Sequence, residues 1–321
     1  MRSLCVVLLV SASLLAAGPA SAQVACDIGP TYMGSLPADA QAAGFTKCAA
    51  NYDFTQPFYA TASNWLDCAG ATTPQWFQGY IAVEYALHVP CSYIGQIPND
   101  PAFPDGGPVL SIFWDDSQYV GYPGTTGTSI ETTDAGGNRG PYYTFFYEEI
   151  IARMAILSPT NYYSLWSVGQ DGQSIELDGL EVAWGGVDSD SCYHNNRTGA
   201  VLCIWIATNP PSGPIDFTQY HKWAWRVTSD GVTDVQWCVY IDDVLQGCLS
   251  VFPTAGQVRG DSTIATAPQL FVTDRASACP GGHPPCGITG QMYVKSVRVW
   301  TCPAWSQANP LAHCYSSSPD P

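Results

Sequence analysis

Ile175-Glu176-Leu177-Asp178-Gly179-Leu180-Glu181-Val182-Ala183-Trp184 carries two patterns at once. Side chains along a β-strand point alternately to opposite faces. Glu176 and Asp178 therefore share one face, and Ile175 and Leu177 share the other. Strict alternation would then turn Glu181 onto the apolar face. One bulge at Gly179 removes the conflict, because a bulge inserts a single extra residue and glycine accepts the altered backbone. Ile175, Leu177, Leu180, Val182 and Trp184 then form an apolar face, and Glu176, Asp178 and Glu181 form an acidic one.

The rest of the chain fits a fold built from such strands. Aromatic and β-branched residues cluster in short runs between Gly- and Pro-rich turns: Val109 to Trp114, Tyr142 to Ile151, Val201 to Ala207, Trp223 to Val227, Val235 to Ile241 and Met292 to Trp300. Almost nothing reads as helix. The pattern predicts an all-β chain, an antiparallel sandwich or barrel. A three-residue loop at Asp242-Asp243-Val244 would place Cys238 opposite Cys248 in a hairpin.

Three carboxylates on one strand face repel one another, and a strand built only for stability avoids that. A solvated acidic strand is the plain alternative. A retaining glycosidase needs such a cluster: one carboxylate attacks the anomeric carbon while a protonated one donates to the leaving oxygen, with the two carboxyls about 5 Å apart. Asp178, between them, can hydrogen-bond the nucleophile and help set the protonation of the trio.

Glu176-Leu177-Asp178-Gly179-Leu180-Glu181 resembles the bulged E-x-D-x-x-E signature of glycoside hydrolase family sixteen, the laminarinase, lichenase and agarase family. The neighbours follow the family order. Asp53-Phe54-Thr55 and Asn64-Trp65 resemble its opening strand, Pro141 to Met154 a degenerate Y-G-x-F-E-A-R strand, and Leu165-Trp166 the tryptophan strand before the catalytic one. Tyr220 to Trp225, Asp230-Gly231, Val239 to Asp242 and Met292 to Trp300 are similar to later strands, so the likeness runs from about Tyr52 to Trp300. It implies a concanavalin-like jelly roll of two antiparallel sheets with the acidic row on its concave face. It also implies retaining, internal cleavage of β-1,3- or β-1,4-linkages in a neutral glucan or galactan. On that basis Glu176 is the nucleophile, Glu181 the acid/base and Asp178 the helper, and Trp166 stacks on a sugar in the cleft. No cofactor is required. Many members carry a structural calcium on the convex face, and nothing in this sequence identifies its ligands. The stretch before Tyr142 is longer than usual and holds extra cysteines, the register of Glu148 and Glu149 is open, and the usual D-G turn is Asp242-Asp243.

Composition narrows the setting. Arg2, the apolar run Leu4 to Ala17 and Ala20-Ser21-Ala22 read as a secretory signal over residues 1–22. One domain is expected over 23–315, with a frayed tail over 316–321. Removing Cys5 with the signal leaves twelve of the 13 cysteines, an even number that favours disulfides in an extracellular or periplasmic protein. Nearest neighbours pair most simply: Cys26 with Cys48, Cys68 with Cys91, Cys192 with Cys203, Cys238 with Cys248, Cys279 with Cys286, and Cys302 with Cys314. Neither CxxC nor HExxH occurs, which argues against zinc. The net charge of −16 argues against nucleic acid or an anionic membrane as partner. A soluble monomer acting on a polysaccharide is expected.

Other residues are open between two uses. Trp114, Trp184, Trp205, Trp223, Trp225 and Trp237 are each either core or sugar platform, with core the commoner fate. His194 follows the acidic strand closely and is a candidate for substrate binding. His221 reads as structural. Asn196-Arg197-Thr198 fits a glycosylation sequon. Besides a hydrolase, the sequence fits a non-catalytic glucan-binding protein on the same fold, although all three carboxylates are present. A polysaccharide lyase would want a basic cleft, and the chain has only 11 Lys and Arg.

Overall fold

A computed structural model describes residues 36, 38–54, 60–61, 76–79, 94–104, 106–115, 127–132, 143, 145–158, 161–169, 175–183, 186, 188–195, 199–205, 213–229, 235–250, 266–274 and 289–303. The signal and tail, Trp184, Asn196 to Thr198, and the Cys68–Cys91 and Cys279–Cys286 pairs lie outside them. Among the described residues one short helix, α1 (Ala38–Ala42), precedes sixteen strands. These are β1 (Lys47–Tyr52), β2 (Ala60–Thr61), β3 (Trp76–Gly79), β4 (Ile94–Ile97), β5 (Val109–Asp115), β6 (Gly127–Thr132), β7 (Phe146–Ile156) and β8 (Asn161–Gly169). They continue with β9 (Ile175–Ala183), β10 (Asp188–Asn195), β11 (Ala200–Trp205), β12 (His221–Ser229), β13 (Val235–Ile241), β14 (Val244–Ser250), β15 (Thr266–Asp274) and β16 (Thr289–Thr301). No helix among the described residues is long and apolar enough to cross a membrane.

The strands form two sheets. The first runs β14-β13-β12-β7-β16-β5-β4, with β1 also paired to β16; the second runs β11-β10-β9-β8-β15-β6-β3-β2. Pairing is antiparallel except between β2 and β3 at one edge. Alternation explains the core between the sheets. On β7, Phe146, Ile150, Ala152 and Met154 point inward, and on β9 so do Leu177, Leu180 and Val182. Trp114, Trp223, Trp225 and Trp237 are almost wholly buried, which settles four of the open tryptophans as core. β7 begins later and ends later than the expected Tyr142 to Ile151 run.

Two details depart from the expected local geometry. The turn joining β13 to β14 has two residues, Asp242 and Asp243, both at positive φ (49° and 68°), rather than three. A two-residue turn with both φ positive matches the twist of a hairpin, and aspartate tolerates that region. The extra residue sits in the strand instead, at Gln246, since Val239 pairs with Gly247 and Tyr240 with Leu245. Cys238 still faces Cys248, and the two are bonded. Cys192 and Cys203 are also bonded, and Cys48 and Cys302 are in disulfides as well.

The register of the two glutamates on β7 is now defined. Glu149 points outward, buried beneath Arg298, Lys222 and Asp243. Glu148 points inward and accepts a 2.9 Å hydrogen bond from Ser167 Oγ of β8, tying the sheets together. The outer face of the first sheet is covered in part by residues 98–104 and 106–108, with Phe103 packed on Val109, Ile151 and Tyr220. There Asp100 pairs with Arg153 at 2.9 Å and accepts the Tyr220 hydroxyl at 2.8 Å, and Lys295 Nζ donates to the carbonyls of Gly106 and Pro108.

Candidate functional site

The bulge is present at Gly179. Leu165 pairs with Leu180 but Trp166 pairs with Asp178, so Gly179 is the inserted residue on β9. On the other side, Glu181 faces Asp190 and Asp178 faces Cys192, leaving Ser191 opposite two residues. Ser191 Oγ donates to the carbonyl of Gly179 at 2.7 Å, satisfying a group the bulge takes out of the ladder. The backbone of Gly179 is not left-handed, contrary to the expectation that conformational freedom selects glycine there. Space selects it: a Cβ at this position would lie 2.0 Å from the Trp225 ring.

With the extra residue absorbed, the carboxylates fall into three successive cross-strand rows. Glu176 faces His194 on β10, which faces Val201 on β11. Asp178 lies between Trp166 of β8 and Cys192, which faces Cys203. Glu181 lies between Ser164 and Asp190, which faces Trp205. Directly paired residues share a sheet face, and the inward residues of these strands, Tyr163, Leu165, Leu177, Leu180 and Tyr193, belong to the core. All three rows therefore lie on the face of the second sheet turned away from the first.

His194 is the hub of this face. Its Nε2 lies 3.1 Å from Asp178 Oδ2. The hydrogen bond to Asp178 holds the imidazole pKa above its ordinary value, against the effect of burial, and the charges of Asp178, Glu176 and Glu181 push the same way. Asp178 is almost wholly buried, which raises its own pKa, and His194 partly offsets that. Trp166 is 9% exposed, and its Nε1 has no hydrogen-bond partner among the described residues. Glu176, Asp178, Glu181, Trp166 and His194, the five candidate site residues of the sequence, stand together on this face. His194 meets a carboxylate there.

Sequence reasoning missed what stands beyond the acidic strand. The Cys192–Cys203 pair was expected, but not its position beside Asp178 on the site face. Asp190 and Trp205 were not placed in the row of Glu181. A hairpin register taken from the cysteine pair would have found both, because two residues from Cys192 and Cys203 are Asp190 and Trp205.

Potential metal-ligand atoms gather twice among the described residues, as Glu181, Cys192 and His194 and as Asp190, Cys192 and Cys203. Both sets depend on sulfur that is already in the Cys192–Cys203 disulfide. Neither is the all-oxygen shell that calcium takes, and no chemistry is assigned to a metal here.

No protein-family model and no curated protein sequence matches the chain. Solved structures do match. LamAcat of Zobellia galactanivorans aligns over 81% of this chain and 100% of its own, with a TM-score of 0.53 at 12% identity. The fold is that of glycoside hydrolase family sixteen. The catalytic domain of an endo-1,3-β-glucanase (laminarinase) from Thermotoga petrophila covers 80% of this chain and 98% of its own, with TM-score 0.50 at 16% identity. A family 16 endo-glucanase from Bacteroides ovatus covers 78% and 99%, with TM-score 0.50 at 11% identity. At these identities the likeness to family sixteen is one of architecture, and the chemistry must be argued from the site.

Proposed function

We propose that the chain is a secreted, retaining endo-β-glycosidase acting on a neutral β-linked polysaccharide, a β-1,3- or β-1,4-glucan or galactan. The observation that carries this reading is the set of three carboxylates in consecutive rows on one sheet face, made possible by the single bulge at Gly179. Glu176 attacks the anomeric carbon, and Glu181 protonates the leaving oxygen and then activates water. Asp178, held by His194, is the intervening charge that adjusts both. The fold supports the glycosidase class, and the glucanase names borne by several structures of the same fold favour a β-glucan as the first substrate to try. Disulfides fit an exported protein. The site needs no cofactor for this reaction.

Reducing-sugar release from laminarin and mixed-linkage β-glucan tests the reading, with Glu176→Gln as control. Release by the wild type and a loss of at least about a thousandfold in the variant are expected. Binding of glucan without release by either protein would favour a non-catalytic binding protein.

A further inference from the structure

Trp205 is the largest of the exposed apolar side chains among the described residues, at 65% exposure. It ends β11, which stands at the edge of the second sheet among the described residues. Its orientation is fixed by two independent neighbours. Ile204, the residue before it, packs inward against Gly247 of the first sheet. Cys203, two residues from Trp205 and on its face, is bonded to Cys192, beside Asp178. Trp205 therefore stands on the acidic face, in the row that runs through Asp190 to Glu181. Val201, 53% exposed, stands on the same face at the other end of the strand, in the row of Glu176 and His194.

We propose that Trp205 is a stacking platform for a sugar ring of a β-linked chain, at a subsite two strands away from Glu181. The inference rests on the carbohydrate-active reading above and adds the path of the substrate across β10 and β11. Two strand spacings amount to about 10 Å, so one ligand reaching both Glu181 and Trp205 is longer than a single ring. The axial C–H groups of a pyranose suit the flat face of an indole, and its hydroxyls suit Asp190 and the carboxylates beyond. Trp114, Trp223, Trp225 and Trp237, by contrast, are packed into the core. A second copy of this chain is the other occupant of an exposed apolar edge. The charge of −16 on each copy opposes that contact.

The test uses the full-length Glu176→Gln protein, in which an undegraded ligand is retained, with laminarihexaose and a mixed-linkage glucan hexasaccharide as probes in titration calorimetry. Adding Trp205→Ala should weaken binding of the hexasaccharide that binds by about tenfold. Trp205→Phe should recover most of the loss, and Leu245→Ala, at an exposed position of the first sheet, should leave affinity unchanged. In the active protein, Trp205→Ala should raise KM on the polysaccharide more than it lowers kcat. Unchanged affinity and KM in Trp205→Ala overturn the platform while leaving hydrolysis intact. Binding weakened by Trp205→Ala, together with no sugar release by the wild type, keeps the platform and removes the hydrolase. Binding of neither probe, or a Trp205-dependent dimer in sedimentation with unaltered glucan affinity, overturns the proposal.

Discussion

A Cβ built on Gly179 would lie 2.0 Å and 2.1 Å from two carbons of the Trp225 ring, well inside any contact real side chains make. Trp225 is wholly buried and cannot swing aside. Gly179→Ala should therefore destabilise the protein by about 2–3 kcal/mol, as overpacking of a filled core does. Because the strain falls between Asp178 and Glu181, their spacing should suffer too. Chemical denaturation checks the first effect; a variant as stable as wild type would mean that the bulge is not seated on Trp225. The glycine was legible in the sequence as the residue that reconciles two face patterns. Its physical reason was not, since the ring that excludes a side chain comes from β12, some 46 residues further along the chain. His194 shows the same limit. Its nearness to the acidic strand was readable, but the 3.1 Å contact with Asp178 depends on a register that only the folded hairpin supplies.

The β10–β11 hairpin combines site and scaffold in one element. Cys192 and Cys203 face each other across it and close a short loop, with a sequence separation of 11. Among the described residues β11 has one strand neighbour in its sheet. Its exposed Val201, Leu202 and Trp205 leave few buried contacts to hold it. Replacing both cysteines with serine should cost about 2–3 kcal/mol, on the loop-closure account of disulfides. It should also loosen the edge carrying Trp205. Thermal unfolding of the double variant reads the cost, and an unaltered midpoint would show that β11 is held by packing alone. Strand existence and the Cys238–Cys248 hairpin were legible, because alternation and turn residues are local signals; Cys192 with Cys203 was legible only as a nearest-neighbour pair. Local signals did not separate a three-residue loop from a two-residue turn followed by a bulge at Gln246. Both arrangements bring Cys238 opposite Cys248, and the difference lies in the two positive φ angles at Asp242 and Asp243.

Across the whole molecule, the sheets are joined by a polar contact as well as by the apolar core. Burial drives Glu148 well above the usual carboxylate range, with Ser167 only partly opposing. Burial also lifts Glu149 to about 7, against the pull of Arg298 and Lys222. A carboxyl raised in the folded state binds more protons folded than unfolded. Stability therefore falls as pH rises past the unfolded pKa of about 4.3, and continues to fall until the folded group ionises. His194 and His221 act in the same direction at higher pH. Asp178 and Asp242 raise their pKa values, so their stabilisation is complete below the unfolded value and lost as pH rises through the folded one. Asp100, lowered by Arg153 and Tyr220, loses its contribution only in stronger acid. The melting temperature should accordingly peak at about pH 4, between the acid loss at Asp100 and the losses at Glu148 and Glu149 above about 4.3, and decline toward pH 8. Glu148→Gln should flatten the decline; a midpoint that rises from pH 5 to 8 in the wild type would contradict this balance. Strand count and turn spacing left a sandwich or a barrel open, and two stacked sheets were legible only in the resemblance to family sixteen. Which of Glu148 and Glu149 faces inward was not, because both are buried and the strand is apolar on each side.

In the proposed reaction Glu176 is the nucleophile and Glu181 its acid/base partner on one bulged strand. Direct observation of the first-formed product by proton NMR tests it most directly, using the wild-type protein on the β-glucan it degrades, before mutarotation scrambles the anomers. Double displacement predicts the β-anomer first, with the α-anomer growing in only as the free sugar equilibrates. Initial release of the α-anomer would rule out double displacement and remove Glu176 from the nucleophile's role.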